Sequence, residues 1–166
     1  MTDRLKRVEE VLQASWSEFD LREGLWSIPA ERRKSRQEAT EPHIVPLTEL
    51  HMVLLQQVKA TTDHPEWLFP QKNRQQPRKA DALYQATHRF CKASGIEPFA
   101  PRDCRRTFKT LAGSIGIELE LRNRIQGHAM TDVGSVHYDR WNYLPEKTEA
   151  LQTWAAWLSK QISIPV

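Results

Sequence analysis

The sequence predicts an α+β fold that is mainly α-helical, with one small three-stranded antiparallel sheet near the amino terminus. Three short runs typical of β-strands, Trp16–Leu21, Leu25–Pro29 and His43–Leu47, lie in the first third of the chain, and residues 22–24 read as a turn between the first two. Beyond residue 48, apolar residues recur in successive segments at the three- and four-residue spacing of an amphipathic helix.

One helix precedes the sheet and another follows it. Residues 1–13 contain no glycine or proline and place Leu5, Val8 and Leu12 on one side. Thr48 is suited to cap the second helix, because a threonine hydroxyl can accept a hydrogen bond from a backbone N–H of the first turn. The apolar residues of that helix are Leu50, Val53, Leu54 and Val58.

A connection and a third helix come next. The connection runs from Pro65 to Pro77, and we expect its apolar residues 67–69 to anchor it to the core. Residues 80–94 follow as a helix. Its inward-facing residues are expected to be Leu83, Ala86 and Phe90.

Residues 101–115 form a helix with two contrasting stripes. Pro101 favours a helix start at this point, because its missing N–H is not needed in a first turn. The apolar stripe consists of Cys104, Phe108, Leu111 and Ile115, spaced for one buried face. The basic stripe consists of Arg102, Arg105, Arg106 and Lys109. A basic stripe is usually a solvated face, but Asp103 is the only acidic residue near this one, so its excess of positive charge favours an anionic ligand.

The following helix, residues 118–126, is expected to end at Gly127, which is suited to a left-handed stop. His128 therefore lies on the turn just past a helix end. The residues expected to pack inward here are Leu119, Leu121 and Ile125. A last helix begins at Pro145, and its apolar side consists of Leu151, Trp154, Leu158 and Ile162.

The bulk composition is that of an ordinary globular domain. At 166 residues the chain can bury its own core, and we expect residues 1–166 to be a single domain. No apolar run approaches the ~20 residues that span a membrane, and the charged first residues lack the apolar segment of a secretory signal. Cys91 and Cys104 have no zinc-ligand spacing. We therefore expect a cytoplasmic protein with reduced cysteines and no metal or cofactor.

Positive charge is concentrated in two further clusters. Residues 71–79 carry four positive charges and no negative one, and residues 32–36 carry four more. Such clusters suit a polyanion, because each cation set against a phosphate releases condensed counterions. Two solvated loops would have the same composition.

The segment 99–147 resembles the signature region of tyrosine recombinases, in particular prophage and genomic-island integrases. That family has His-x-x-Arg on one helix, Leu-Gly-His after the next, and a tyrosine at the start of a terminal helical segment. The corresponding positions here are 102–105, Ile125-Gln126-Gly127-His128 and Tyr138. The spacing fits, with 23 residues from Arg105 to His128 and 10 more to Tyr138.

Further motifs of the same family lie upstream in the expected order. Arg7-x-x-Glu10 and residues 16–20 resemble its first arginine box, and residues 26–34 and 43–47 resemble its sheet and catalytic lysine. The resemblance covers about residues 5–158. It implies the helical catalytic domain of DNA breaking-rejoining enzymes, without the amino-terminal core-binding and arm-binding domains that family members usually carry.

The resemblance implies integration or excision of a mobile element, by DNA strand cleavage and rejoining through a 3′-phosphotyrosyl intermediate. A tyrosine phenol with a pKa near ~10 is almost un-ionised at neutral pH and needs help to attack a phosphate. Arg7 and Arg105 would hold the phosphate, His128 would bond to it or assist the proton movement, and Lys34 would act as general acid. The implied catalytic residues are Arg7, Lys34, Arg102, Arg105, His128 and Tyr138 as nucleophile.

The implied partner is double-stranded DNA, on which the protein would associate with itself as a tetrameric synapse, with no membrane involved. The expected DNA-binding residues are Arg32, Arg33, Arg36, Lys72, Arg74, Arg106 and Lys109.

One departure from the family pattern opens an alternative. Arg102 stands where the family has the histidine of His-x-x-Arg, and a guanidinium cannot accept a proton from the nucleophile. The chain could therefore be a catalytically impaired DNA-binding remnant of an integrase. A second alternative is a small helical module that binds protein through its tryptophan-rich last helix.

Overall fold

The computed structural model describes residues 6–33, 41–128 and 142–162. Within these ranges the α-helices are α1 Lys6–Leu12, α2 Glu49–Thr62, α3 Ala80–Ser94, α4 Pro101–Ser114, α5 Leu119–Ile125 and α6 Leu144–Ile162. The strands are β1 Phe19–Asp20, β2 Leu25–Ile28 and β3 His43–Pro46. The predicted fold class, mainly α with one small antiparallel sheet near the amino terminus, is confirmed.

The three strands form an antiparallel sheet in the order β1-β2-β3. The first predicted strand, Trp16–Leu21, is wrong in its first half, because Trp16–Glu18 forms a 3₁₀ turn. Local side chains explain the difference. The backbone N–H of Ser15 donates to Glu18 Oε1 at 3.3 Å, and the Ser15 hydroxyl accepts from Ser17 N at 3.4 Å. This capping box supports a turn where apolar pattern alone indicated a strand.

The main core lies where α4, α5 and α6 meet. Ala112, Ile117 and Ala150 are buried at its centre. Phe108 on α4 meets Trp154 on α6 edge to face, with ring centroids 5.2 Å apart. Larger apolar residues complete the cluster: Ile115, Leu121 and Ile125. Trp154 therefore packs against the core, which argues against the alternative that the tryptophans of the last helix form a docking face.

Three residues that were expected to pack inward are exposed. Phe90 is 55% exposed and Leu119 is 53% exposed, and Cys104 also lies at the surface. On α3 the buried stripe runs instead through Ala80 and Cys91, which are eleven residues apart and so lie on one side of the helix. Side-chain spacing defines a face of a helix, but the neighbouring elements decide which face is covered.

Candidate active site

Arg105 on α4 is fixed against the carboxyl-terminal end of α5. Its side chain is half-buried, and Nη2 donates to the main-chain oxygen of Gln126 at 2.7 Å. Gln126 returns a bond from its side chain, with Nε2 donating to the main-chain oxygen of Arg105 at 2.8 Å. Since Gln126 is only 8% exposed, this reciprocal pair is shielded from water. It orients the guanidinium beside the turn that carries His128.

That turn ends α5 as the sequence predicted. Gly127 has φ +59°, a left-handed conformation that side chains with a Cβ adopt only with strain. Its N–H donates to the carbonyl of Arg124 at 3.0 Å, and the N–H of His128 donates to the carbonyl of Asn123 at 2.9 Å. These bonds satisfy carbonyls that a helix end would otherwise leave without partners. The imidazole is held too, because His128 Nδ1 lies 3.2 Å from Asn123 Oδ1.

The sheet contacts the same turn through His43, the first residue of β3. Its Nε2 lies 3.0 Å from the main-chain oxygen of Ile125, so it donates a hydrogen bond to the end of α5. A Cβ placed on Gly127 would come within 3.3 Å of His43 Nε2. The glycine therefore serves both the turn conformation and the close approach of the strand.

Lys147 contacts β3, and Arg124 and Arg33 lie near enough to act on its charge. Lys147 on α6 is 6% exposed and its Nζ donates to the main-chain oxygen of Ile44 at 2.9 Å. Burial, and after it the charges of Arg124 and Arg33, lower the pKa of Lys147 below its ordinary value of 10.5. The Cζ atom of Arg124 lies 3.7 Å from the centroid of the Tyr143 ring, and its Nη2 forms an ion pair with Glu120 Oε1 at 2.8 Å.

The basic stripe of α4 divides between its two sides. Arg105 points to α5, Arg102 and Arg106 are exposed, and Lys109 is half-buried. Asp103, the expected counter-charge, accepts from the Ala100 N–H at 2.8 Å, and this bond, aided by Arg106, lowers the pKa of its carboxyl. Asp103 therefore caps α4, and its exposed pair with Arg106, at 3.5 Å, leaves the surface of this helix basic.

Two of the expected DNA-binding arginines, Arg32 and Arg74, each bond through their guanidiniums to two groups of the protein. Arg32 forms an ion pair with Glu18 and donates to the main-chain oxygen of Glu10 at 2.9 Å. Arg74 donates to the carbonyls of Thr62, at 3.2 Å, and of Asp63, at the end of α2. Both guanidiniums thus stabilise the fold, and their contact with DNA stays a prediction.

Other predicted residues divide between exposed positions and parts of the chain without a description. Lys72 is exposed, and Arg33 is half-buried with Nη1 donating to the carbonyl of Glu41 at 2.9 Å. The residues outside the described ranges are Lys34, Arg36 and Tyr138. Arg7 lies within α1, where only its backbone is described. The roles of all these residues stay predictions.

Sequence reasoning missed three residues that support the turn: His43, Asn123 and Gln126. His43 is marked in the sequence only as part of a strand-like run. Asn123 offered a local signal, because a side-chain amide in the last turn of a helix can reach a residue just beyond it. Gln126 offered another, since it is polar at a position where the resembled family has leucine.

Two features are absent from the described ranges, residues 6–33, 41–128 and 142–162. No helix within them is both long enough and apolar enough to cross a membrane. Within the same ranges, no group of three or more histidine, cysteine or acidic side chains is placed to hold a metal ion.

Comparison with known proteins shows the family of the chain. The chain is 26% identical to the integrase of enterobacteria phage P4 over 178 aligned residues, which cover 96% of this chain and 40% of that protein. It is 24% identical to the prophage integrase IntA and 26% identical to the prophage integrase IntZ, both of Escherichia coli K12. These alignments cover 91% and 90% of this chain but only 35% of either relative. The model of the phage integrase family matches residues 1–143, and the chain therefore belongs to the phage integrase family.

Proposed function

We propose that this chain is the catalytic domain of a tyrosine site-specific DNA recombinase, which integrates or excises a mobile element by cleaving and rejoining DNA strands. The observation that carries the proposal is the placement of Arg105 against the turn of His128. Two groups suited to one phosphate are thereby held on adjoining elements, in a chain of the phage integrase family.

The proposed reaction exchanges one phosphodiester for another. The Tyr138 hydroxyl releases its proton with the assistance of His128, and its oxygen bonds to phosphorus while the bond from phosphorus to the 5′-oxygen breaks. The 5′-oxygen leaves as a hydroxyl with a proton from Lys34. A 5′-hydroxyl of another strand then attacks the phosphotyrosyl bond and releases the tyrosine. No external energy source is needed, because the products contain the same kinds of bond as the reactants.

Arg105 supplies the charge that this reaction needs. The attacked phosphate is anionic and gains charge on its equatorial oxygens in the transition state, and oriented cationic donors stabilise that charge. Arginine suits this role because it stays protonated and presents a planar set of donors. The bond to Gln126 fixes the orientation before the substrate binds, so little reorganisation is required. We expect Arg105→Ala to lower the cleavage rate by ~10²–10³-fold.

The exposed cations would hold the duplex around this site. Arg102, Arg106 and Lys72 are at the surface. We propose that double-stranded DNA contacts them through its phosphates and that copies of the protein assemble on it as a tetramer. The affinity for DNA should then fall steeply with salt, because each neutralised phosphate releases counterions. An affinity that is indifferent to salt would contradict a phosphate-led interface.

A catalytically impaired, DNA-binding remnant is the second candidate, and Arg102 is the observation that favours it. Where the family has a histidine, this exposed arginine of α4 can contact phosphate but cannot accept a proton. Both candidates bind DNA, so only cleavage separates them.

The decisive experiment uses a duplex of randomised sequence in which one strand ends in a 3′-(4-nitrophenyl) phosphate. Attack by Tyr138 releases nitrophenolate, which needs no proton to leave, and joins the DNA to the protein. Intact mass and peptide mapping then identify the adduct. We expect an adduct on Tyr138 that is absent from Tyr138→Phe and strongly reduced in Arg105→Ala.

A matched variant checks the general acid. Lys34→Ala should keep its rate on the nitrophenyl duplex and lose it on an otherwise identical nicked duplex with a natural 5′-oxygen. DNA binding without any adduct would support the second candidate, a catalytically impaired remnant. Failure to bind DNA even at low salt would contradict both candidates.

A further inference from the structure

Two hydrogen bonds join the same pair of residues at the end of α5. The backbone N–H of His128 donates to the main-chain oxygen of Asn123 at 2.9 Å, and His128 Nδ1 lies 3.2 Å from Asn123 Oδ1. Both residues are half-buried. The main-chain bond places the imidazole over the last turn of the helix, and the side-chain bond fixes its rotation. The ring therefore has a defined orientation before DNA binds.

The side-chain bond also determines where the imidazole carries its proton. A carbonyl oxygen such as Asn123 Oδ1 can only accept a hydrogen bond. His128 Nδ1 must then be the protonated nitrogen, and in the neutral ring the lone pair that accepts a proton lies on Nε2. An isolated imidazole in water favours the opposite tautomer only slightly, so one oriented hydrogen bond is sufficient to select this form.

The tautomer of His128 matters because Arg102 stands where the resembled family has a histidine that could accept a proton. When Tyr138 attacks, its hydroxyl proton must go to a base. Arg102 is an exposed guanidinium and Arg105 bonds to Gln126, and a guanidinium does not accept a proton near neutral pH. Two described imidazoles contact this turn. His43 uses Nε2 to bond to the carbonyl of Ile125, and His128, at the position of the family's Gly-His motif, is the one we assign to take the proton.

We propose that Asn123 is a positioning residue that holds His128 in the Nδ1–H tautomer, so that Nε2 takes the proton of Tyr138 during cleavage and returns it during rejoining. This inference rests on the proposed function. In cleavage the phenolic proton moves to Nε2 as the oxygen–phosphorus bond forms and the 5′-oxygen leaves. In rejoining both transfers run backwards, so the protein ends in its starting state.

The first test does not depend on activity. In protein labelled with ¹⁵N-histidine, the nitrogen and proton correlations of His128, assigned with His128→Gln, report which ring nitrogen carries the proton. We expect Nδ1–H in the wild type and mainly Nε2–H in Asn123→Leu. An Nε2–H tautomer in the wild type would overturn the proposal, even if the chain had no recombinase activity.

The second test follows adduct formation with the nitrophenyl duplex as a function of pH. The leaving group needs no acid there, so the acid limb of the profile reports the base. Asn123→Asp keeps an acceptor and adds a charge that stabilises the imidazolium, so the limb should move to higher pH with the plateau rate retained. Asn123→Leu should lose ~10–100-fold in rate, the effect that removing the orienting partner of a metal-binding histidine usually has.

Controls separate positioning from folding and from neighbouring charges. Among the described residues, the charged and titratable groups around the turn include Arg105 from α4, Arg124 from α5 and His43 from β3, together with Lys147 of α6 and its electrostatic neighbour Arg33. His43→Gln should leave the acid limb in place, whatever its rate, because His43 bonds to the main chain of Ile125. Melting temperature and DNA affinity verify that each variant is folded. An acid limb unmoved in Asn123→Asp, or an unchanged rate in Asn123→Leu, would refute the positioning role.

Discussion

Replacing Gln126 by leucine tests whether this buried amide stabilises the fold or only orients the site. Its Nε2 donates to the carbonyl of Arg105 at 2.8 Å, a bond worth about 1 kcal/mol net. Its Oε1 is buried and has no hydrogen-bond partner among the described residues. A buried polar atom without a partner costs about 1–3 kcal/mol. The cost of the unpartnered Oε1 is larger than the contribution of the Nε2 hydrogen bond, and a leucine side chain would also bury more apolar surface.

We therefore expect Gln126→Leu to raise the free energy of unfolding by about 1 kcal/mol, or ~2–4 °C in melting temperature for a domain of this size. Gln126→Ala is the matched control. It removes the same amide but leaves a cavity, so it should be less stable than the leucine variant by about 2–4 kcal/mol. Adduct formation should persist in the leucine variant, because Arg105 bonds to the main-chain oxygen of residue 126.

Chemical denaturation followed by tryptophan fluorescence measures these differences. A loss of more than about 1 kcal/mol in Gln126→Leu would refute the reasoning, because it would show that Oε1 has a partner in solution and that the amide fastens α4 to α5.

Three further predictions concern stability. Gly127→Ala should lower the free energy of unfolding by about 1–2 kcal/mol, because a residue with a Cβ is strained in the left-handed backbone conformation. Contact between the new Cβ and His43 should lower it further. Gly95→Ala, which has φ +68° and nothing within 4 Å, isolates the backbone effect, and equal losses in both would refute the contact. Lys147→Met should be neutral or stabilising at neutral pH, because burial lowers the pKa of Lys147. The stability of the wild type relative to this variant should increase as the pH rises towards 10.5, the ordinary pKa of lysine. Thermal melts that show no such increase would contradict the burial argument. Burial also lowers the pKa of His51, so stability should fall as pH drops below 6.5, and His51→Gln should abolish this loss. Denaturation midpoints at pH ~7.5 and ~5.5 measure it, and an equal fall in both proteins would assign it to other groups.

Local sequence determined the elements of this protein and the order of its motifs. The spacing of Phe108 and Leu111, the left-handed stop at Gly127 and the clustering of strand-like runs before residue 48 each depend on neighbours a few positions away. Such signals can be read without a structure, because backbone propensity and side-chain periodicity are local properties. The resemblance to integrases depends on the same local sequence signals, because the motifs of that family are short and occur in a fixed order.

Partners distant in the chain were decided by tertiary structure alone. Composition made Arg32 a candidate for DNA, whereas the fold places it against Glu18. The same periodicity that described α4 could not tell that Cys104 would be exposed while Arg105 turned towards Gln126. A hydrogen bond or ion pair across many residues depends on how the elements pack, and packing is set by the whole core. The sequence therefore proposed groups suited to the chemistry, such as Arg105 and His128, and the tertiary structure decided which residues hold these groups in place.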